Sequence, residues 1–336
     1  MEFIKNEQYL HECEKLLSKL FNKPTVCMCP GCKNMAINSH VLQNKKILKP
    51  IAPKNHLYCF EPNSFFNKEQ RFAYKKRGIN EVLAFRGYCK NHDDQIFSFI
   101  EKTDVDWSDP KSQFLLGYRS ICREIYVKQI MVDYYSEHLT KFISPDNMLL
   151  DYKVRNDCEK SKLGLSMGIK DMNHYKEFLE LGIFNNNYSK YNFETTILPF
   201  SIELCVSSPI SVSYSLDIPN KDIYEADLPE TNIINIFPYK GNTYVIIGFA
   251  AGFENRWANA LAEILKTQDS NLICKSLSDL ILFRSDFNCM SERLFHSILP
   301  NNFSEFFKIY EAVGCIKSYS LSTELNIFKD FKITVK

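Results

Sequence analysis

Glycine is scarce in this chain, 11 residues in 336, and tryptophan occurs only twice. With 14% aromatics, that composition excludes a low-complexity or intrinsically disordered chain. Gly-x-Gly-x-x-Gly and Gly-x4-Gly-Lys-Ser/Thr are both absent, so nucleotide-binding loops of those kinds are not supported. Net charge is nearly absent as well: 41 Lys and Arg against 40 Asp and Glu leave +1, which names no partner. No apolar run approaches the roughly 18–20 residues needed to span a bilayer. The opening MEFIKNEQYLHECEKLL is too charged for the apolar region of a signal peptide. The chain therefore reads as a cytoplasmic protein made in a reducing compartment.

Against these shortages stand 12 cysteines. A disulfide framework does not suit a large chain without a secretion signal. Scattered single cysteines are ordinary small core residues. Three of them, Cys27, Cys29 and Cys32, fall within six residues and need another explanation.

The chain is long enough for two domains, and its local patterns predict three stretches. Residues 4–21 carry a helical stripe that Pro24 ends. Residues 24–92 are rich in Pro, Asn, Lys and Cys, with short strand-like runs at 56–60 and 82–85. Asp93-Asp94 opens a helix that places Ile96, Phe97 and Ile100 on one side. Ser108-Asp109-Pro110 opens another, over 113–142. Ser144-Pro145-Asp146 breaks the pattern, a further helix follows over 146–181, and Gly182 is the expected stop. From about 190 the style turns β-rich, with strands over 195–216 and a pair over 233–252 around Lys240-Gly241-Asn242. Helices are expected at 255–266, 270–283 and 302–313, then a closing strand at the C-terminus. The expected organisation is 1–107 as a metal-binding module with its N-terminal helix, 108–185 as a long helical hairpin, and 190–336 as an α+β domain. The fold class is α+β.

Cys29-Pro30-Gly31-Cys32 has the spacing of a zinc knuckle, because one tight turn can present both sulfurs to a single ion. Cys89 and His92 supply a second pair just before the helix start, where the positive helix end favours a thiolate. Knuckle, hairpin and ligand pair describe a treble-clef module, and the predicted structural Zn2+ ligands are Cys29, Cys32, Cys89 and His92. Cys27 competes for the first pair, and His40 or Cys59 could substitute.

The order knuckle, His40, then a ligand pair opening a helix resembles the HNH (His-Me finger) nucleases over residues 27–100. The resemblance implies that His40 is a general base and that Asp93, with Asn91 as another candidate, helps hold a catalytic Mg2+ or Mn2+. The family commonly carries an acidic residue before the base; here it is Ser39, a much poorer ligand. No clear match exists for the family's middle Asn. His40 is alternatively a structural ligand or a hairpin histidine bonded to backbone.

Residues 41–100 hold eleven Lys and Arg against five Asp and Glu, with aromatics interleaved. Lys45, Lys46, Lys75, Lys76, Arg77 and Arg86 are the candidate nucleic-acid contacts. Gly164-Leu165-Ser166-Met167-Gly168 matches a nucleophile motif but lies in a helical pattern, so it reads as chance. Arg123 and Glu124 are expected on a solvated helix face. Two functions follow: a zinc-stapled interaction protein that binds nucleic acid, or an HNH-like nuclease. The C-terminal domain is left to bind a protein partner or regulate. Small zinc modules fused to another domain also suggest, by analogy, a role in bacterial phage defence.

Overall fold

The computed structural model describes residues 7–62, 72–102, 104–141, 148–211, 230–252, 255–267, 269–297 and 325–328. The helix expected at 302–313 and most of the closing strand lie outside them. Among the described residues no helix is long and apolar enough to cross a membrane.

The protein is α+β. Helix α1 (Glu7–Asn22) leads to β1 (Ile37–His40), which pairs antiparallel with β4 (Ala84–Tyr88); α2 (Lys90–Phe97) follows directly. Between β1 and β4 the chain inserts a hairpin, β2 (His56–Pro62) and β3 (Phe72–Gly78). Two long helices come next, α3 (Pro110–Lys141) and α4 (Met148–Asn185). They run antiparallel, as the contact of Phe114 with Gly182, the Tyr118 hydroxyl donating to Glu180 at 2.7 Å and the approach of Lys128 to Gly168 require. Gly182 is not a stop. A Cβ there would lie 2.3 Å from the Phe114 ring, so glycine permits the close helix approach. The stop is Asn186, whose φ of 52° is the left-handed conformation that ends helices.

Strands β5 (Tyr191–Leu198), β6 (Leu204–Ser211), β7 (Thr231–Tyr239), β8 (Asn242–Ala250) and β9 (Asn288–Met290) complete the sheet, with α5 (Arg256–Lys266) and α6 (Ser270–Asp279) between β8 and β9. The seven-stranded sheet has the order β3-β2-β9-β6-β7-β8-β5, antiparallel throughout. Lys240 and Gly241, at φ 50° and 82°, form the expected tight turn between β7 and β8. All of β7 is buried, because both sheet faces are covered. Ile233 and Phe237 pack with α3, while Ile234 and Ile236 pack with Trp257, Leu261 and Leu277 of α5 and α6.

The inserted hairpin changes the expected division of the chain. β2 and β3 belong to the same sheet as β5–β9, so residues from 1–107 and 190–336 build one element. One buried cluster runs from Cys13 and Leu16 through Cys89 and Phe97 to Tyr118, Ile233 and Cys289. Glu124, expected in solvent, is 5% exposed and pairs with Lys128 at 2.8 Å. Arg123 likewise has buried guanidinium atoms, against expectation. Ser166 lies inside α4 with its hydroxyl on the Lys162 carbonyl, so the nucleophile motif has no sharp turn.

Candidate metal centre

The loop before β1 is a small hairpin docked on β4. The Cys27 amide donates to Asn34 at 2.9 Å, Val26 bridges Met35, and the Met28 amide reaches the Gly87 carbonyl at 2.7 Å. At its tip Pro30 and Gly31 turn the chain; Gly31 has φ 75°, and the Cys32 amide closes the turn on Cys29 at 3.1 Å. That is the sequence preference of a type II turn, proline then glycine. On the other side Cys89 is the N-cap of α2 in extended conformation, and His92 lies in the first helical turn.

The four donors that meet are Cys27, Cys32, Cys89 and His92, all within 4.8 Å of one another. His92 Nδ1 is 3.4 Å from Cys27 Sγ and 3.4 Å from Cys89 Sγ; Cys32 Sγ is 3.9 Å from Cys89 Sγ. A tetrahedral ion with Zn–S of about 2.3 Å and Zn–N of about 2.05 Å has S···N edges of about 3.6 Å and S···S edges of about 3.8 Å. The observed spacings fit that frame, so the donor set is compatible with zinc.

Cys29 is therefore replaced by Cys27 in the expected set. Cys27 is 6% exposed and held by the hairpin ladder beside β4, whereas Cys29 lies at the half-exposed tip. Burial pushes the Cys27 thiol up to about 11. A backbone N–H of His92 holds the Cys89 thiol below its ordinary value, as a helix N-terminus should. Burial raises the Cys29 thiol, and its surroundings include Lys176 and Glu180 of α4. Cys59 is not a substitute ligand; it sits in β2 opposite Cys289.

His40 ends β1, but outside the donor group. Its Nε2 donates to the Ile79 carbonyl at 3.2 Å, with the Asn44 amide also 3.2 Å away. Burial lowers its pKa, and Arg119, Glu101 and Asp93 are among the charges that act on it. Asp93 is tied to the buried Arg119 at 3.3 Å, which also binds Glu101 at 2.5 Å and lies over the Phe97 ring. Arg119 had no signal in the sequence, since one arginine in a long helical pattern looks like any other. An open depression beside this group is lined by Asp93, Asp94, Ser98, Glu101 and Lys102.

The six basic candidates do not form one uniform patch. Lys45 and Lys46 are exposed on the helical turn after β1. On β3, Lys76 pairs with Glu292 at 3.2 Å and Arg77 with Glu61 at 2.6 Å, while Lys75 is half-buried. Arg86 is half-buried on β4, its carbonyl accepting from Thr25.

Compared with protein-family models, curated proteins and solved structures, the chain matches none. The functional reading rests on geometry.

Proposed function

We propose that this chain is a non-catalytic binding protein whose N-terminal segment is stapled by a structural zinc ion on Cys27, Cys32, Cys89 and His92. The closed donor set carries this reading. Three sulfurs and one nitrogen fill a tetrahedron and leave no position for water or substrate, which is the mark of a structural site. Loops 24–36 bury little apolar surface, so a metal supplies what packing does not. Nucleic acid is the partner class, with Lys45 and Lys46 among the exposed cations. The test is metal analysis of purified protein: about one zinc per chain is expected by the four-ligand rule, and Cys89→Ser should lose it. Retention of full zinc by that variant would sink the staple.

A second reading, an HNH-like nuclease using His40 and Mg2+ or Mn2+, is favoured by one arrangement. The order β1, β4, α2 brings His40 within the electrostatic reach of Asp93. The Arg119 pairing of Asp93 and the Ile79 bond of His40 weigh against it. Plasmid and single-stranded substrates with Mg2+ or Mn2+ should show no cleavage that His40→Ala removes. A role in phage defence, carried by analogy alone, is checked by plating phage on cells with and without the protein.

A further inference from the structure

Three free thiols lie in one row across the seven-stranded sheet. The register sets Cys59 of β2 opposite Cys289 of β9, and Cys289 opposite Cys205 of β6. Opposed residues in antiparallel strands alternate between hydrogen-bonded and non-bonded pairs. The Ser291 amide donates to the Glu203 carbonyl at 3.0 Å, which makes that a bonded pair. Two residues along, Cys205 and Cys289 form a bonded pair too. The backbone of Cys289 is thereby turned toward β6 and away from β2, so Cys59 and Cys289 form the non-bonded kind. Such pairs have Cα atoms about 4.5 Å apart and closer side chains, within the roughly 4.4–6.8 Å that a disulfide spans.

The surroundings add a cation. Arg123 of α3 lies 3.6 Å over the Phe287 ring, and its Nε and Nη1 are buried without a hydrogen-bond partner among the described residues. The neighbouring thiols and burial push both the Cys59 and the Cys289 thiol well above the ordinary range, and the Arg123 charge opposes that shift at each. Cys59 is 7% exposed and the other two are fully buried, so Cys59 is the thiol a small oxidant reaches first.

We propose that Cys59 and Cys289 are a peroxide-responsive disulfide site, with Cys205 remaining reduced. The Cys59 thiol attacks hydrogen peroxide as its proton passes to the departing oxygen, the O–O bond breaks, and a sulfenic acid and one water form. The Cys289 sulfur then displaces the sulfenic oxygen, which leaves as water with the thiol proton. Two sulfurs are each oxidised by one electron and one peroxide is reduced to two waters. The bond would tie the inserted β2–β3 hairpin covalently to β9, which two backbone pairs and the Tyr74 hydroxyl's bond to Asn288 already join.

The test uses the full, zinc-replete chain. It is treated with hydrogen peroxide, alkylated, unfolded, alkylated with a second reagent, digested and analysed by mass spectrometry. A dithiothreitol-sensitive Cys59–Cys289 peptide pair is expected, with Cys205 carrying the second alkyl group. The same link should form in Cys205→Ser. Recovery of Cys59 and Cys289 as free thiols at peroxide levels that oxidise the metal-centre cysteines would overturn the proposal, and so would a Cys205–Cys289 link. The wild-type peptide map decides even if a cysteine variant fails to fold.

Discussion

At the scale of single residues, two neighbouring cysteines differ because the backbone treats them differently. Cys27 is fixed by the ladder to Asn34 and buried; Cys29 starts the exposed turn. Cys27→Ser should therefore lose the metal, while Cys29→Ser should keep it, as zinc content per chain would show. The reverse result would restore the Pro-Gly knuckle as the first ligand pair. His138 of α3 gives a pH prediction. It is fully buried, and burial lowers its pKa from 6.5 to about 4. In the window from 6.5 down to 4 the unfolded chain takes up a proton that the folded chain refuses, so stability is lost as pH falls. Denaturant unfolding of wild type and His138→Gln across that window checks it; the variant should lose less stability on acidification.

At the scale of elements, the helix pair and the turns were legible and the helix stop was not. Glycine at 182 looks like a C-cap in one dimension, but only the facing Phe114 reveals its purpose. Gly182→Ala should destabilise the fold by roughly 1–3 kcal/mol through overpacking, less about 1 kcal/mol regained in helix propensity. Chemical denaturation measures the difference. No loss would mean that the α3–α4 approach is looser than the contact distance implies. The β3 cations show a second element-level effect. Lys76 and Arg77 lie on the outermost strand of the described sheet, and charged residues there discourage pairing with another chain. Their ion pairs with Glu292 and Glu61 explain why a basic run in sequence is not a basic patch in space.

At the scale of the molecule, the two-stranded β1–β4 sheet beside the metal centre shares one core with the C-terminal strands, and the hairpin inserted between β1 and β4 joins their seven-stranded sheet. Removing the metal should therefore lower the midpoint of the shared unfolding transition, because binding to the native state alone stabilises all that unfolds with it. Calorimetry with and without a chelator reads this out. A separate early transition for the N-terminal residues, with the main one unmoved, would contradict it.

The sequence by itself determined the local chemistry. The Cys89–His92 donor pair, the helix opening beside it, two long helices and the Lys240-Gly241 turn all follow from a few adjacent residues and backbone geometry. Tertiary structure decided which cysteine completes the tetrad and where the hairpin between β1 and β4 goes. It also paired Asp93 with Arg119 and set Cys59 beside Cys289. Each depends on side chains brought together from distant parts of the chain, where register and burial, rather than spacing along the backbone, select the partner.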